Sequence, residues 1–118
     1  MGIFTVTIEV GDIDGQRWEP VGALVDTGAS HTVVPASLLR RLEVTARDRW
    51  PFRLADESIG ERNVGRTWVR VNGRDELTIG VFGADTQQPL LGAYTLVGVR
   101  MGVDPLGKRL IPVPGLLM

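Results

Sequence analysis

Apolar and polar residues alternate along "IFTVTIEV" (Ile3 to Val10), and β-branched residues dominate it, which predicts a half-buried strand. "GDIDG" (Gly11 to Gly15) supplies turn residues, so a hairpin is expected to lead into "QRWEPVGALV". The period of two breaks at "PASLLRRL" (Pro35 to Leu42). There, proline stands at a first helical position and Leu38, Leu39 and Leu42 share a face, predicting one or two helical turns. "WPFRLAD" (Trp50 to Asp56) and "RNVGRTWVRV" (Arg62 to Val71) predict two strands, with "DESIG" (Asp56 to Gly60) as the hairpin tip between them. "NGR" (Asn72 to Arg74) is a turn, and "ELTIGVFGA" the next strand. After Leu90, Leu91 and Gly92, a short helix is expected over Ala93 to Arg100, weakened by Gly98. A turn at Asp104 to Gly107 and a last strand follow.

Composition narrows the function more than the fold. Fifteen glycines and seven prolines are spread along 118 residues with no linker, repeat or low-complexity tract, which fits one domain over 1–118. An apolar fraction of 43% and a net charge of −1 fit a soluble globular chain. Thirteen basic against fourteen acidic residues leave no electrostatic footprint for nucleic acid, and the arginines from 40 to 53 are mixed with Glu43 and Asp48 as on a solvated face. "MGIFTVTIEV" lacks the basic start and long apolar run of a signal peptide, and "LIPVPGLLM" is too short to span a bilayer. A cytoplasmic location is therefore the default expectation, with no membrane partner. The chain has no cysteine and one histidine, His31, which argues against thiolate or multi-histidine metal sites and against a histidine-based triad. No cofactor or metal is expected.

One stretch carries candidate chemistry. In "ALVDTGASHTVV" (Ala23 to Val34), a single acid interrupts an apolar strand and small residues follow it. One carboxylate is a poor catalyst of amide hydrolysis. Two side by side cannot both ionise, so they share a proton, and one serves as general base on water while the other serves as general acid. Such a pair needs little bulk around it. Gly28 lets the backbone turn and aim its N–H at the carboxylate, Ala29 leaves room for a peptide backbone, and the Thr27 hydroxyl can bond across the pair. Only one Asp-Thr-Gly occurs in the chain. A twofold dimer would supply the second acid with no extra sequence.

With these residues in view, the sequence resembles the retropepsin-like aspartic proteases, single-lobe homodimeric relatives of the pepsins. "VDTGASHTVVP" resembles their catalytic loop. "PLLGAYTLVGVRMGVDPLGKRLIPV" resembles their apolar-apolar-glycine step, short helix and closing strand, with an ending like that of bacterial members. "RLADESIGERNVG" resembles their flap hairpin. The resemblance implies a closed, mostly antiparallel β barrel with one or two short helices and a flap. It implies a homodimeric endopeptidase in which Asp26 is the catalytic acid/base, Thr27 and Gly28 lock the dimer and contact its backbone, and Leu90, Leu91 and Gly92 form a strand beneath the loop. Ala29, Ser30, His31, Ala55, Asp56, Ile59, Gly60 and Leu90 are the expected substrate contacts. The substrate would be an extended peptide with apolar side chains beside the cut. A dyad that holds one proton predicts an acidic pH optimum.

The sequence departs from the viral members at several points. Ser30 and Ala93 stand where viral relatives carry an aspartate and an arginine that pair. Both partners are replaced together, so no charge is orphaned. Pro112 and Pro114 remove N–H groups from one strand edge, so the last strand is expected to pair through its other edge, with "IFTVTIEV" of its own chain as a candidate. The flap tip is charged rather than glycine-rich. Several residues have plainer readings. Trp18, Trp50 and Trp68 are expected as packing residues. His31 reads as a loop residue near the cleft. Asp12 and Asp14, Asp56 and Asp104 read as turn formers. Two other functions compete with proteolysis: a non-cleaving dimeric peptide-binding module of the same fold, and a structural dimerisation domain.

Overall fold

A computed structural model describes residues 2–104, 106–115 and 117. Nine strands and two six-residue helices are found among them: β1 (Gly2–Gly11), β2 (Trp18–Asp26), β3 (Thr32–Pro35), α1 (Ala36–Arg41), β4 (Asp48–Arg53), β5 (Ile59–Val71), β6 (Arg74–Gly83), β7 (Leu90–Leu91), α2 (Ala93–Gly98), β8 (Met101–Asp104) and β9 (Arg109–Pro112). The chain is mostly β, as the alternation predicts. The expected turns form as well. Asp12 Oδ1 accepts the N–H groups of Gln16 at 2.7 Å and Arg17 at 3.1 Å, and Asn72 and Gly73 take φ of 50° and 81° between β5 and β6.

Seven strands form one sheet in the order β1-β2-β7-β3-β6-β5-β4, and β1 also pairs with β5, which brings the sheet back on itself. Most pairings are antiparallel. Two are parallel: β2 with β7 (Leu24 opposite Leu90, Val25 opposite Leu91) and β3 with β6. The core lies inside this ring, where Val10, Ala23, Val25, Val34, Val69 and Leu91 are fully buried, with Leu38, Leu39 and Leu42 brought in by α1. Alternation explains the membership: Ile8 and Val10 of β1 point inward while Thr5 and Thr7 point out.

Three expectations need correction. The second helix ends at Gly98, and the residues after it turn, with Arg100 at φ 57°, into the strand β8. The last strand, β9, pairs with β8 in a separate two-stranded sheet and not with β1; Pro112 lies opposite Met101 at the end of the ladder. The hairpin tip sits earlier than expected, at residues 54–58, because β5 already begins at Ile59. The three tryptophans are half-buried. Trp18 lies under the Arg70 guanidinium at 3.9 Å, and the indole N–H of Trp68 donates to the carbonyl of Ile13. In the expected turn at Asp104 to Gly107, Asp104 Oδ1 accepts the N–H groups of Leu106 and Gly107, each at 3.1 Å; Pro105 lies outside the described residues.

Candidate active site

Asp26 is the last residue of β2, and the loop 27–31 carries the chain into β3. The loop is tight because it is small. The Gly28 N–H donates to Asp26 Oδ1 at 2.9 Å, and the Ala29 N–H donates to the Asp26 carbonyl at 3.1 Å. Asp26 is half-buried and faces a cleft of about 620 Å³.

The support for this loop comes from far along the chain. β7 is two residues long and lies between β2 and β3, directly under the loop. At the start of α2, the Ala93 N–H donates to the Ala29 carbonyl at 2.8 Å and the Tyr94 N–H to the Ser30 carbonyl at 3.0 Å. The loop thus satisfies donors that a helix start leaves open, with no side chain capping it. Gly92 permits this approach: a Cβ there would stand 2.5 Å from the His31 carbonyl oxygen and 2.9 Å from its nitrogen. Below, the Gly92 N–H donates to Thr32 Oγ1 at 3.0 Å. That hydroxyl bonds to Thr95 Oγ1 at 2.7 Å, which in turn meets Thr78 Oγ1 at 3.1 Å. Thr32 and Thr95 are fully buried, and among the described residues no buried side-chain nitrogen or oxygen lacks a partner.

The β4–β5 hairpin roofs the cleft. Its tip is organised by Asp56, whose Oδ1 accepts the Ser58 N–H at 3.0 Å and the Ser58 hydroxyl at 2.6 Å; those bonds hold the Asp56 carboxyl below its usual range. The base of the hairpin meets the Asp26 loop through rings. His31 is edge-on to Phe52 at 5.4 Å, to Trp50 at 5.9 Å and to Tyr94 of α2 at 5.1 Å between centroids. Ser30 Oγ and His31 Nδ1 are 2.7 Å apart, and burial pushes the His31 imidazole below its ordinary pKa. One small ring therefore ties flap strand, acid loop and second helix together.

Of the expected site residues, Asp26, Gly28, Ala29, Ser30, His31, Ala55 and Leu90 line the cleft. Thr27, Asp56, Ile59 and Gly60 do not. Thr27 is exposed on the loop. Asp56 is spent on the turn. Ile59 is 59% exposed because alternation along β5 turns it and Glu61 away from the cleft. Gly60 lies beneath Leu54 and Arg62, which occupy the space its side chain would take. The sequence reading missed Phe52, Arg53, Leu54, Glu57 and Arg62, which line the cleft from the hairpin. Phe52 and Arg62 were within reach of it, since a two-residue period on each hairpin strand selects them once a roofing hairpin is assumed. Among the described residues, no three acidic or histidine side chains gather as a metal site requires, and no helix is long and apolar enough to cross a membrane.

A comparison with curated proteins finds no match. A family model described as "Aspartyl protease" matches residues 6–95, a span that holds the Asp26 loop, the roofing hairpin and the Leu90-Leu91-Gly92 step. On that match across most of its length, the chain belongs to the aspartyl protease family.

Proposed function

We propose that the protein is an aspartic endopeptidase active as a homodimer, each copy contributing Asp26 to one shared site in a barrel of the retropepsin type. The observation that carries this reading is the position of Asp26: a half-buried carboxylate, anchored by the Gly28 N–H, on the floor of a cleft roofed by a hairpin. A chain with one Asp-Thr-Gly holds half a dyad, and a twofold axis beside the loop supplies the rest.

In the dimer, two Asp26 carboxylates at hydrogen-bonding distance hold one proton and a water between them. The ionised member takes a proton from the water as its oxygen attacks the scissile carbonyl carbon. The protonated member gives its proton to the carbonyl oxygen, forming a neutral gem-diol. Collapse of that intermediate breaks the C–N bond, with a proton passed to the leaving nitrogen and the dyad returned to its starting state. The Gly28 N–H keeps Oδ1 in place, so the acid does not reorient at the moment of reaction. The substrate lies extended between the loop and the hairpin, and lifting of the hairpin admits it.

The test joins assembly to chemistry. Sedimentation should show a dimer, and cleavage of unfolded protein substrates should vanish in Asp26→Asn while its sedimentation stays the same. Cleavage that survives in Asp26→Asn would sink the assignment, as would a strict monomer with full activity.

A further inference from the structure

The face that the roofing hairpin turns toward Asp26 is not uniformly apolar. Register places Trp50 opposite Arg62 and Phe52 opposite Gly60, so the pleat sets Trp50 and Phe52 of β4 on the same face as Gly60 and Arg62 of β5. Gly60 is what lets a long side chain settle there: a Cβ at that position would stand 3.0 Å from Arg62 Nη1 and 2.9 Å from Leu54 Cδ1. Arg62 is half-buried, and with Phe52 and Leu54 it lines the cleft.

Among the described residues, five arginines are held by a carboxylate, and Arg62 is not one of them. Arg17, Arg41, Arg49, Arg70 and Arg109 each pair with a carboxylate. Arg62 donates from Nη1 to the carbonyl of Glu61 at 2.9 Å, and no carboxylate of the described residues comes within ion-pair distance of it. A guanidinium carries five donors in a planar fork that fits a carboxylate with two parallel bonds. Beside Phe52 and Leu54, such a pair is screened less than it would be in open water.

We propose that Arg62 forms a subsite for a peptide carboxylate. The substrate class is then an extended, mainly apolar peptide with one acidic side chain lying under the hairpin. The proposal rests on the reading of the cleft as a peptide site. The cleft's own acids, Asp26 on its floor and Glu57 at the tip, disfavour a second negative charge elsewhere along it. The preference is therefore confined to the peptide position that reaches Arg62.

Binding to Asp26→Asn protein tests this apart from catalysis. The probes are fluorescent peptides of valine, leucine and phenylalanine, blocked at both ends, with one aspartate or one asparagine at each position in turn. At one or two positions the aspartate peptide should bind about tenfold tighter than its asparagine partner, the scale of a hydrogen-bonded charge pair. Adding Arg62→Gln should bring that ratio close to one, and Arg62→Lys should keep part of it. Arg49→Gln, whose guanidinium faces Glu61, should leave the ratio as it was. Equal binding of both peptides at every position would overturn the subsite, as would a preference that survives Arg62→Gln. An Arg62-dependent gain seen only when the C-terminus is left free would overturn the acidic-side-chain assignment and give the carboxylate to the peptide end. Failure of every peptide to bind would overturn the peptide-cleft reading itself, and the subsite with it.

Discussion

The backbone of Gly92 touches the backbone of His31 so closely that a methyl group at 92 would stand 2.5 Å from the His31 carbonyl oxygen. No rotamer relieves a clash between a Cβ and a main chain. Gly92→Ala must therefore push the acid loop off β7 or pull the start of α2 away from it. The expected result is a loss of about 1–3 kcal/mol of stability, the scale of overpacking, together with a fall in activity larger than the unfolded fraction explains. Urea melts and peptidase assays on the same preparation check this. Full activity with wild-type stability would show that the loop tolerates the shift.

The buried hydroxyl chain makes a second expectation. Thr32→Val keeps the shape of the side chain and removes the oxygen that accepts the Gly92 N–H and bonds to Thr95. The Gly92 N–H then loses its acceptor in a dry interior, while Thr95 keeps only its bond to Thr78, at a cost of about 1–3 kcal/mol. Thr78→Val should cost less, because Thr95 keeps its bond to Thr32 and Thr78 is not fully buried. Equal midpoints in urea for the two variants would contradict this ordering.

The hairpin tip can be loosened without touching the core. Asp56→Ala removes the acceptor of both Ser58 bonds on an exposed turn. Global stability should change by less than about 1 kcal/mol, while amide exchange at Ser58 speeds up and kcat/KM falls several-fold. Unchanged exchange at Ser58 would mean that the tip is ordered by something other than Asp56.

Stability should depend on pH in two separate windows. Burial sets the His31 pKa in the folded protein below its ordinary value of 6.5. Protons then bind the unfolded chain first as the pH drops, so this contribution is complete above about 6.5 and is lost as the pH falls from there toward the folded value. Asp56, held low by the Ser58 hydroxyl, and Asp75, held low by Arg70, have the opposite displacement relative to charge. Their stabilisation is present above the ordinary carboxylate range and disappears only as the pH falls through their depressed values. His31 is the only histidine. In His31→Phe, the loss of stability that sets in as the pH falls through about 6.5 should vanish, leaving the more acidic limb in place. Parallel declines in both proteins there would refute the assignment. An acidic activity optimum would thus be reached at some expense of stability.

Local chemistry was legible in the sequence because it is encoded locally. Asp26, Gly28 and Ala29 carry their meaning within one loop, and the turns at Gly11 to Gly15 and Asn72 to Arg74 follow from residue type. Features decided by distant partners were harder to read. The helix was expected to run to Arg100, since nothing nearby reveals that Met101–Asp104 would pair with Arg109–Pro112. Trp50 reads as a packing residue by its size, yet its place is fixed by a histidine nineteen positions earlier, across the cleft. Ile59 was expected against substrate because it is apolar at a flap tip. The pleat outranks hydrophobicity there, and the neighbouring Arg62 takes the inner face.

The two-residue strand Leu90–Leu91 also sets an order of events. The acid loop is complete early in the chain, but the hydroxyl that steadies it sits on Thr95, 63 residues beyond Thr32, and the strand under it arrives only shortly before. Closing so large a loop is slow, and contacts of such separation form late. During synthesis, a nascent chain would thus carry Asp-Thr-Gly without a working cleft until the second helix has emerged. The same threading that holds the acid still in the finished protein delays completion of the cleft until the second helix is made.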